Sequence, residues 1–231
     1  MFDAFRIIWL SLTDFWGDFV LLLTFNLIWV LAALLPTLPF FLLGTISWTV
    51  VALAVLLALP LPIVSGALCY VTNQVSRGLM PDLGMFASGV RRYWRKSLLV
   101  TLINLLVVAT VLVNLYFYGN VLPGGWTSII VALWLVASLY WLLAQIYWFP
   151  MILELKNESV LLALRNSLAM VLVSPGFTLL LGLLLAVMVV LFVVTSLPAV
   201  LFLGSASMLV ANHATRSRLA AIQHKPYPPR S

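Results

Sequence analysis

Three long stretches of the chain, residues 19–76, 97–153 and 166–211, contain no Asp, Glu, Lys, Arg or His. About 20 mostly apolar residues suffice for a helix to cross a hydrocarbon core of roughly 30 Å. Each stretch is therefore too long for one crossing and suits two. Turn-forming residues divide them: Pro36 and Pro39 with Gly44 in the first, Gly119 to Gly125 around Pro123 in the second, and Pro198 in the third. Six spans follow, over 19–38, 46–70, 98–118, 127–149, 176–195 and 197–212. None of these runs alternates polar and apolar residues over the ~10 positions of a barrel strand, which excludes a transmembrane barrel.

A shorter amphipathic stretch precedes each pair of spans. The first runs from Phe2 to Trp16, the second from Met85 to Lys96 and the third from Val160 to Ser167. Helices with aromatic residues on one face and bases on another lie along a membrane surface. The second and third end in similar phrases, Arg95-Lys96-Ser97-Leu98 and Arg165-Asn166-Ser167-Leu168, consistent with a repeated unit of surface helix plus hairpin. The expected fold is all-α: a polytopic helical membrane protein of one domain, with six transmembrane helices as three hairpins, each preceded by a short interfacial helix. A short basic, Pro-rich cytoplasmic tail is expected over 213–231.

Composition removes the alternatives. Hydrophobic residues make up 64% of the 231 positions and charged residues 8%, against roughly 45–50% and about 25% in soluble domains. Six acids and twelve bases cannot clothe a water-soluble globule, and disorder needs the opposite balance. All twelve bases fall at Arg6, at Arg77 to Lys96, at Lys156 and Arg165, and at Arg216 to Arg230, leaving the three hairpin tips uncharged. Bases are retained on the cytoplasmic side, so both termini are expected to be cytoplasmic. Trp and Tyr gather at the water–lipid boundary. Phe40, Trp48, Tyr116, Tyr118 and Trp126 are expected in the outer belt and Trp16, Tyr70, Tyr93, Trp94, Tyr147 and Trp148 in the inner one, with Trp29 and Trp134 packed more deeply.

The first apolar run lacks a basic leader and a small-x-small cleavage site, so it is expected to be a retained span. Cys69 is the single cysteine, which excludes an intrachain disulfide and a cysteine-based metal site and leaves it a small buried role.

The sequence offers little covalent chemistry. It has no phosphate-binding glycine loop, no His-Glu-x-x-His pair and no nucleophile elbow. His213 and His224 have no acid beside them in sequence. No catalytic residue, cofactor or metal is expected. Glu154 and Glu158, four apart, could bind a cation or pass a proton, but a solvated surface pair is preferred. The spans carry uncharged polar residues, and interhelical hydrogen bonds in membranes average about 0.6 kcal/mol. Asn26, Asn104 and Gln145 are candidates either for helix–helix glue or for a polar cavity. Pro60 and Pro62, followed by Gly66, interrupt the second span in its inner half, depriving carbonyls near Leu56 to Ala58 of donors. Such breaks mark transporter sites in many folds, although a simple kink satisfied by neighbours is the preferred reading. Small residues at Gly182 and Ala186, and at Ser207 and Ala211, suit close helix packing. Arg91, Arg92, Arg95 and Lys96 stand where bases attract anionic lipid head groups. Nucleic-acid binding is not expected of bases dispersed among membrane anchors.

Several phrases resemble the YesL-like family of bacterial integral membrane proteins. They are Asn26-Leu27-Ile28-Trp29, the element Pro62-Ile63-Val64-Ser65-Gly66-Ala67-Leu68-Cys69-Tyr70, the linker at Gly78, the helix ending Trp94-Arg95-Lys96-Ser97-Leu98, and the Arg165 to Leu168 phrase. In that family the Asn-x-x-Trp and Pro-to-Gly elements lie close together. Here they are well separated, and Pro36-Thr37 to Gly44-Thr45 offers a second register. The resemblance implies a bacterial plasma membrane and an association with carbohydrate importers, and it implies no reaction. Two functions are therefore carried forward. One is a non-catalytic accessory or scaffold subunit whose partners are the lipid bilayer and other membrane proteins. The other is a small-molecule permease or lipid-handling protein.

Overall fold

The computed structural model describes residues 2–121, 125–224 and 227, and every regular element among them is helical. In chain order these are α1 (Phe2–Gly17), α2 (Phe19–Leu34), α3 (Leu38–Leu43), α4 (Trp48–Ala58), α5 (Pro60–Ser76), α6 (Leu83–Tyr116), α7 (Gly125–Glu154), α8 (Val160–Val173), α9 (Pro175–Thr195) and α10 (Leu197–Ile222). A short 3-10 turn, Leu35–Thr37, joins α2 to α3, and a π-helical turn, Phe117–Val121, follows α6. Six helical segments are long and apolar enough to cross a membrane: Phe19–Leu43, Trp48–Ser76, Leu83–Asn120, Gly125–Glu154, Pro175–Thr195 and Leu197–Ile222. The all-helical membrane class and its six spans therefore stand, while several boundaries move. Pro123 and the residues Lys225, Pro226 and Pro228 to Arg230 lie outside the described residues.

Local chemistry sets the joints. Gly44 ends α3 at φ +60, a conformation cheap only for glycine, and Ser47 then caps α4 by accepting the Val50 N–H. Asp82 caps α6 in the same way, accepting the Met85 N–H at 2.6 Å. Because that cap sits so early, the second expected surface helix is not a separate element. It is the first part of the 34-residue α6. The break expected at Pro60 and Pro62 is a kink: Leu59 keeps right-handed helical backbone, and its N–H reaches the Leu56 carbonyl at 3.2 Å. Leu56, four residues before Pro60, thus keeps a donor through this tighter bond, while the Ala58 carbonyl, four before Pro62, loses its ordinary one. Helix α10 continues to Ile222, so much of the tail expected from 213 is helical.

Two buried clusters share α10. One joins Phe15, Leu22, Phe25, Leu68, Val71, Val75 and Leu209, from α1, α2, α5 and α10. The other gathers Tyr93, Leu143, Tyr147, Trp148, Met151, Ala163, Leu181 and Val210, from α6 to α10. Tyr147 and Trp148, expected in the inner aromatic belt, are core residues: Tyr147 shares a 2.8 Å hydrogen bond with Thr178, and the Trp148 indole donates to the Val160 carbonyl at 3.1 Å. Tyr93 is buried with them. Trp48, Tyr116 and Trp126 are exposed. Helix α1 buries Ala4, Ile7, Ser11 and Asp14 and exposes Phe5, Trp9, Leu12 and Trp16, a helical stripe suited to lipid. Asp3–Arg218 and Asp14–His213 pairs pin its two ends to α10.

Candidate functional site

Helices α5, α6, α7, α9 and α10 line a partly open cavity of about 500 Å³. From α5 it is lined by Pro62, Ser65, Gly66 and Cys69, and from α6 by Ser97 and Thr101. Gln145, Ile146, Phe149 and Pro150 come from α7, and Ser207 and Met208 from α10. Glycine at 66 brings α5 close to α6 and α7, since a Cβ there would meet Ser97 Oγ at 1.9 Å and Phe149 Cζ at 2.9 Å. Pro150 sits inside α7. Having no N–H, it removes the ordinary helical donor from the Ile146 carbonyl beside the cavity.

Two of the polar side chains around the cavity, Ser65 and Gln145, are already satisfied. Ser65 Oγ donates to the Leu61 carbonyl and accepts from the Trp29 indole, both at 2.8 Å. The Gln145 amide is held in a ring of hydrogen bonds. Trp141 Nε1 donates to Asn104 Oδ1 at 3.0 Å, Asn104 Nδ2 to Gln145 Oε1 at 3.2 Å, and Gln145 Nε2 to the Trp141 carbonyl at 3.3 Å. Two hydroxyl oxygens, Ser97 Oγ and Ser207 Oγ, are buried with no partner among the described residues. Ser97 as a whole is only 3% exposed. Buried polar groups are nearly always paired, which makes these two the distinctive chemistry of the cavity.

The polar residues singled out from sequence therefore separate. Pro62, Gly66 and Gln145 line the cavity, and Asn104 stands one layer behind Gln145. Pro60 lies at the α4–α5 kink. Asn26 is elsewhere: its Nδ2 donates to the Val200 carbonyl at 2.7 Å, and its Oδ1 accepts from the Ser205 N–H at 3.0 Å, clasping α2 to α10. The three amides do not converge on one cavity.

At the charged end of the bundle a polar knot ties α5, α7 and α10 together. Asn73 Nδ2 donates to Glu154 Oε1 at 3.0 Å and to Asn212 Oδ1 at 3.1 Å. The Asn212 amide nitrogen shares its two hydrogens among the carbonyls of Cys69 and Met208 and the hydroxyl of Thr72, all within 3.1 Å. Arg77 reaches both Asn73 Oδ1 and Glu154, and Arg216 bonds the Ser76 carbonyl. Cys69, buried as expected, joins this knot to the cavity wall.

Glu154 and Glu158 are not a solvated pair on one helix face, because α7 ends at Glu154. Glu158, in the loop to α8, is held by Arg92 and Lys96 and accepts from the Tyr93 hydroxyl at 2.9 Å. Burial works to raise its carboxyl, but the hydrogen bonds from Lys96, Tyr93 and Arg92 outweigh it and hold the group below the ordinary carboxylate range. These contacts divide the four bases expected to meet anionic lipid head groups. Arg92 and Lys96 are engaged within the protein, whereas Arg91 and Arg95 are exposed, with Arg95 over the Trp94 ring at 5.0 Å.

His213 has an acid that its sequence neighbours do not supply. Its Nε2 lies 2.9 Å from Asp14 Oδ2, and its Nδ1 lies 2.5 Å from the Tyr227 hydroxyl. Burial pushes the Tyr227 phenol up to about 12, so it remains a donor. The network is satisfied when the imidazole carries its hydrogen on Nε2, an assignment made from partners. Among the described residues no three of His, Cys, Asp or Glu gather where they could hold a metal ion. Comparison with known protein families, with curated proteins and with solved structures finds no match to this chain.

Proposed function

We propose that this multi-pass protein resides in a bacterial plasma membrane, with three in-and-out helix pairs and both termini cytoplasmic, and that it handles a lipid-like small molecule without catalysing a reaction. The cavity carries this reading. Its volume of about 500 Å³ falls in the roughly 300–1,000 Å³ range of small-molecule sites, and such sites are mainly apolar with a few placed polar groups. Five helices contribute to it, so small movements between them would change access. The confinement of the bases to four segments supports the orientation.

A direct test is binding of an acyl-chain fluorescent probe to protein in nanodiscs, comparing the parent with S207F and A211F. Filling the cavity should weaken binding by tenfold or more while leaving thermal unfolding cooperative. A parent that binds no probe, and moves no solute or lipid across a broad panel in vesicles, would retire this reading.

The accessory-subunit reading has its own support. The outer part of α6 exposes Leu102, Leu105, Leu112 and Val113, and among the described residues the Asn114 amide bonds within its own helix, at the Thr110 carbonyl. A partner helix could cover this surface and use the amide. The resemblance drawn from sequence would make that partner part of a carbohydrate importer. Purification in mild detergent tests it: repeated isolation of the chain by itself, under several extraction conditions, counts against it.

A further inference from the structure

We infer that the molecule held in the cavity has an apolar body and an uncharged, hydrogen-bonding head, an alcohol or a carbonyl, which pairs with the hydroxyls of Ser97 and Ser207. This rests on the lipid-handling reading and adds the chemical class of the ligand.

The first argument is charge. Among the described residues, no Asp, Glu, Lys, Arg or His lines the cavity. A charged head placed there would lose its hydration without meeting a counter-charge, which is far costlier than burying a neutral polar group. Nearby charges are already committed, Lys96 to Glu158 and Glu154 to Arg77 and Asn73.

The second argument is hydrogen-bond accounting. Ser65 and Gln145 have their partners, so Ser97 Oγ and Ser207 Oγ are the buried oxygens left over. A hydroxyl both donates and accepts, so either an alcohol or a carbonyl would satisfy it. A wholly apolar ligand would leave these groups unpaired, and a cationic head would find no carboxylate.

The experiment uses four photoreactive alkyl probes of equal chain length, bearing an alcohol, a carboxylate, a trimethylammonium or no polar head. Each is cross-linked to the full chain in zwitterionic nanodiscs, with labelled peptides mapped by mass spectrometry. The alcohol should label the lining segments of α5, α6, α7 and α10 at least fivefold more than either charged probe. In S97A/S207A that advantage over the headless probe should vanish, while headless labelling persists and reports an intact cavity. Equal labelling by all heads, or a preference unchanged in S97A/S207A, would overturn the inference and leave the lipid-handling reading standing. Absence of lining labels with every probe overturns both. If the double variant also loses the headless label, the ranking of heads in the parent decides.

Discussion

Gly66 of α5 and Ser97 of α6 touch where no side chain fits between them: a Cβ at 66 would stand 1.9 Å from Ser97 Oγ. Phe149 closes the same spot from α7 at 2.9 Å. Phe149 could swing its ring tip aside, but the Ser97 hydroxyl stands on a short stem next to the helix axis. G66A should therefore push α5 and α6 apart and lower stability by about 1–3 kcal/mol, the usual cost of overpacking. Removing the hydroxyl in G66A/S97A should recover part of that loss. Thermal unfolding in detergent measures both, and an unaltered midpoint for G66A would show that the two helices are not in this contact.

Orientation has a separate check. Cys69 is buried, so a C69A background clears the chain of native thiols. A cysteine placed at Asn120 should react with an impermeant reagent added outside intact cells, and one placed at Gln223 only after permeabilisation. Labelling of both sites from the same side would overturn the arrangement of termini and spans.

The folded-state pKa of Glu158 is depressed, so the unfolded chain binds the more protons in the affected window and stability rises with pH there. The contribution is complete above the ordinary glutamate value of about 4.3 and is lost as pH falls through the lower folded value. Melting temperature should therefore drop on acidification below about pH 4.3, and E158Q should remove that part of the slope. A slope identical in E158Q would place the titration on another carboxylate.

Much of the architecture could be read from the chain because lipid imposes a coarse rule: charge-free runs of sufficient length become spans. Phe19–Leu43 and Pro175–Thr195 follow from that rule alone. The second surface helix could not be read, since Tyr93 and Ser97 face the core without any break in helix between Asp82 and the span. Partners distant in sequence were equally hidden. Asp14 meets His213 across 199 positions, and Asn73 meets Asn212 across 139. Their one sequence signal was polarity near the charged ends of apolar runs, which fixes depth and not pairing. Ser207 reads as a small packing residue and Ser97 only as part of a phrase before a span, because nothing local distinguishes a satisfied hydroxyl from an orphan.

That difference in partners ranks the buried amides. Asn212 is fully buried and reaches three acceptors while receiving Asn73. Asn104 is partly exposed, as are its ring partners Gln145 and Trp141. N212L strands several buried groups at once and should cost about 1–3 kcal/mol. N104L should cost near the 0.6 kcal/mol average for membrane hydrogen bonds. Parallel unfolding of the two variants tests the order, and a larger loss for N104L would mean the α5–α10 knot contributes little.

The basic end of α6 separates two roles within one cluster. Arg92 and Lys96 converge on Glu158, whereas Arg91 and Arg95 are exposed and meet no carboxylate among the described residues. A base near an anionic membrane surface is worth about 1 kcal/mol, and salt weakens that attraction. R91Q/R95Q should therefore reduce the thermal stabilisation gained on moving from zwitterionic to anionic nanodiscs, most clearly at low salt, and leave stability in zwitterionic lipid unchanged. R92Q/K96Q should do the reverse, lowering stability in both lipids by freeing a half-buried Glu158 carboxylate from its partners. If both pairs shifted the lipid response equally, the division made by Glu158 would be wrong and all four bases would act as one surface patch.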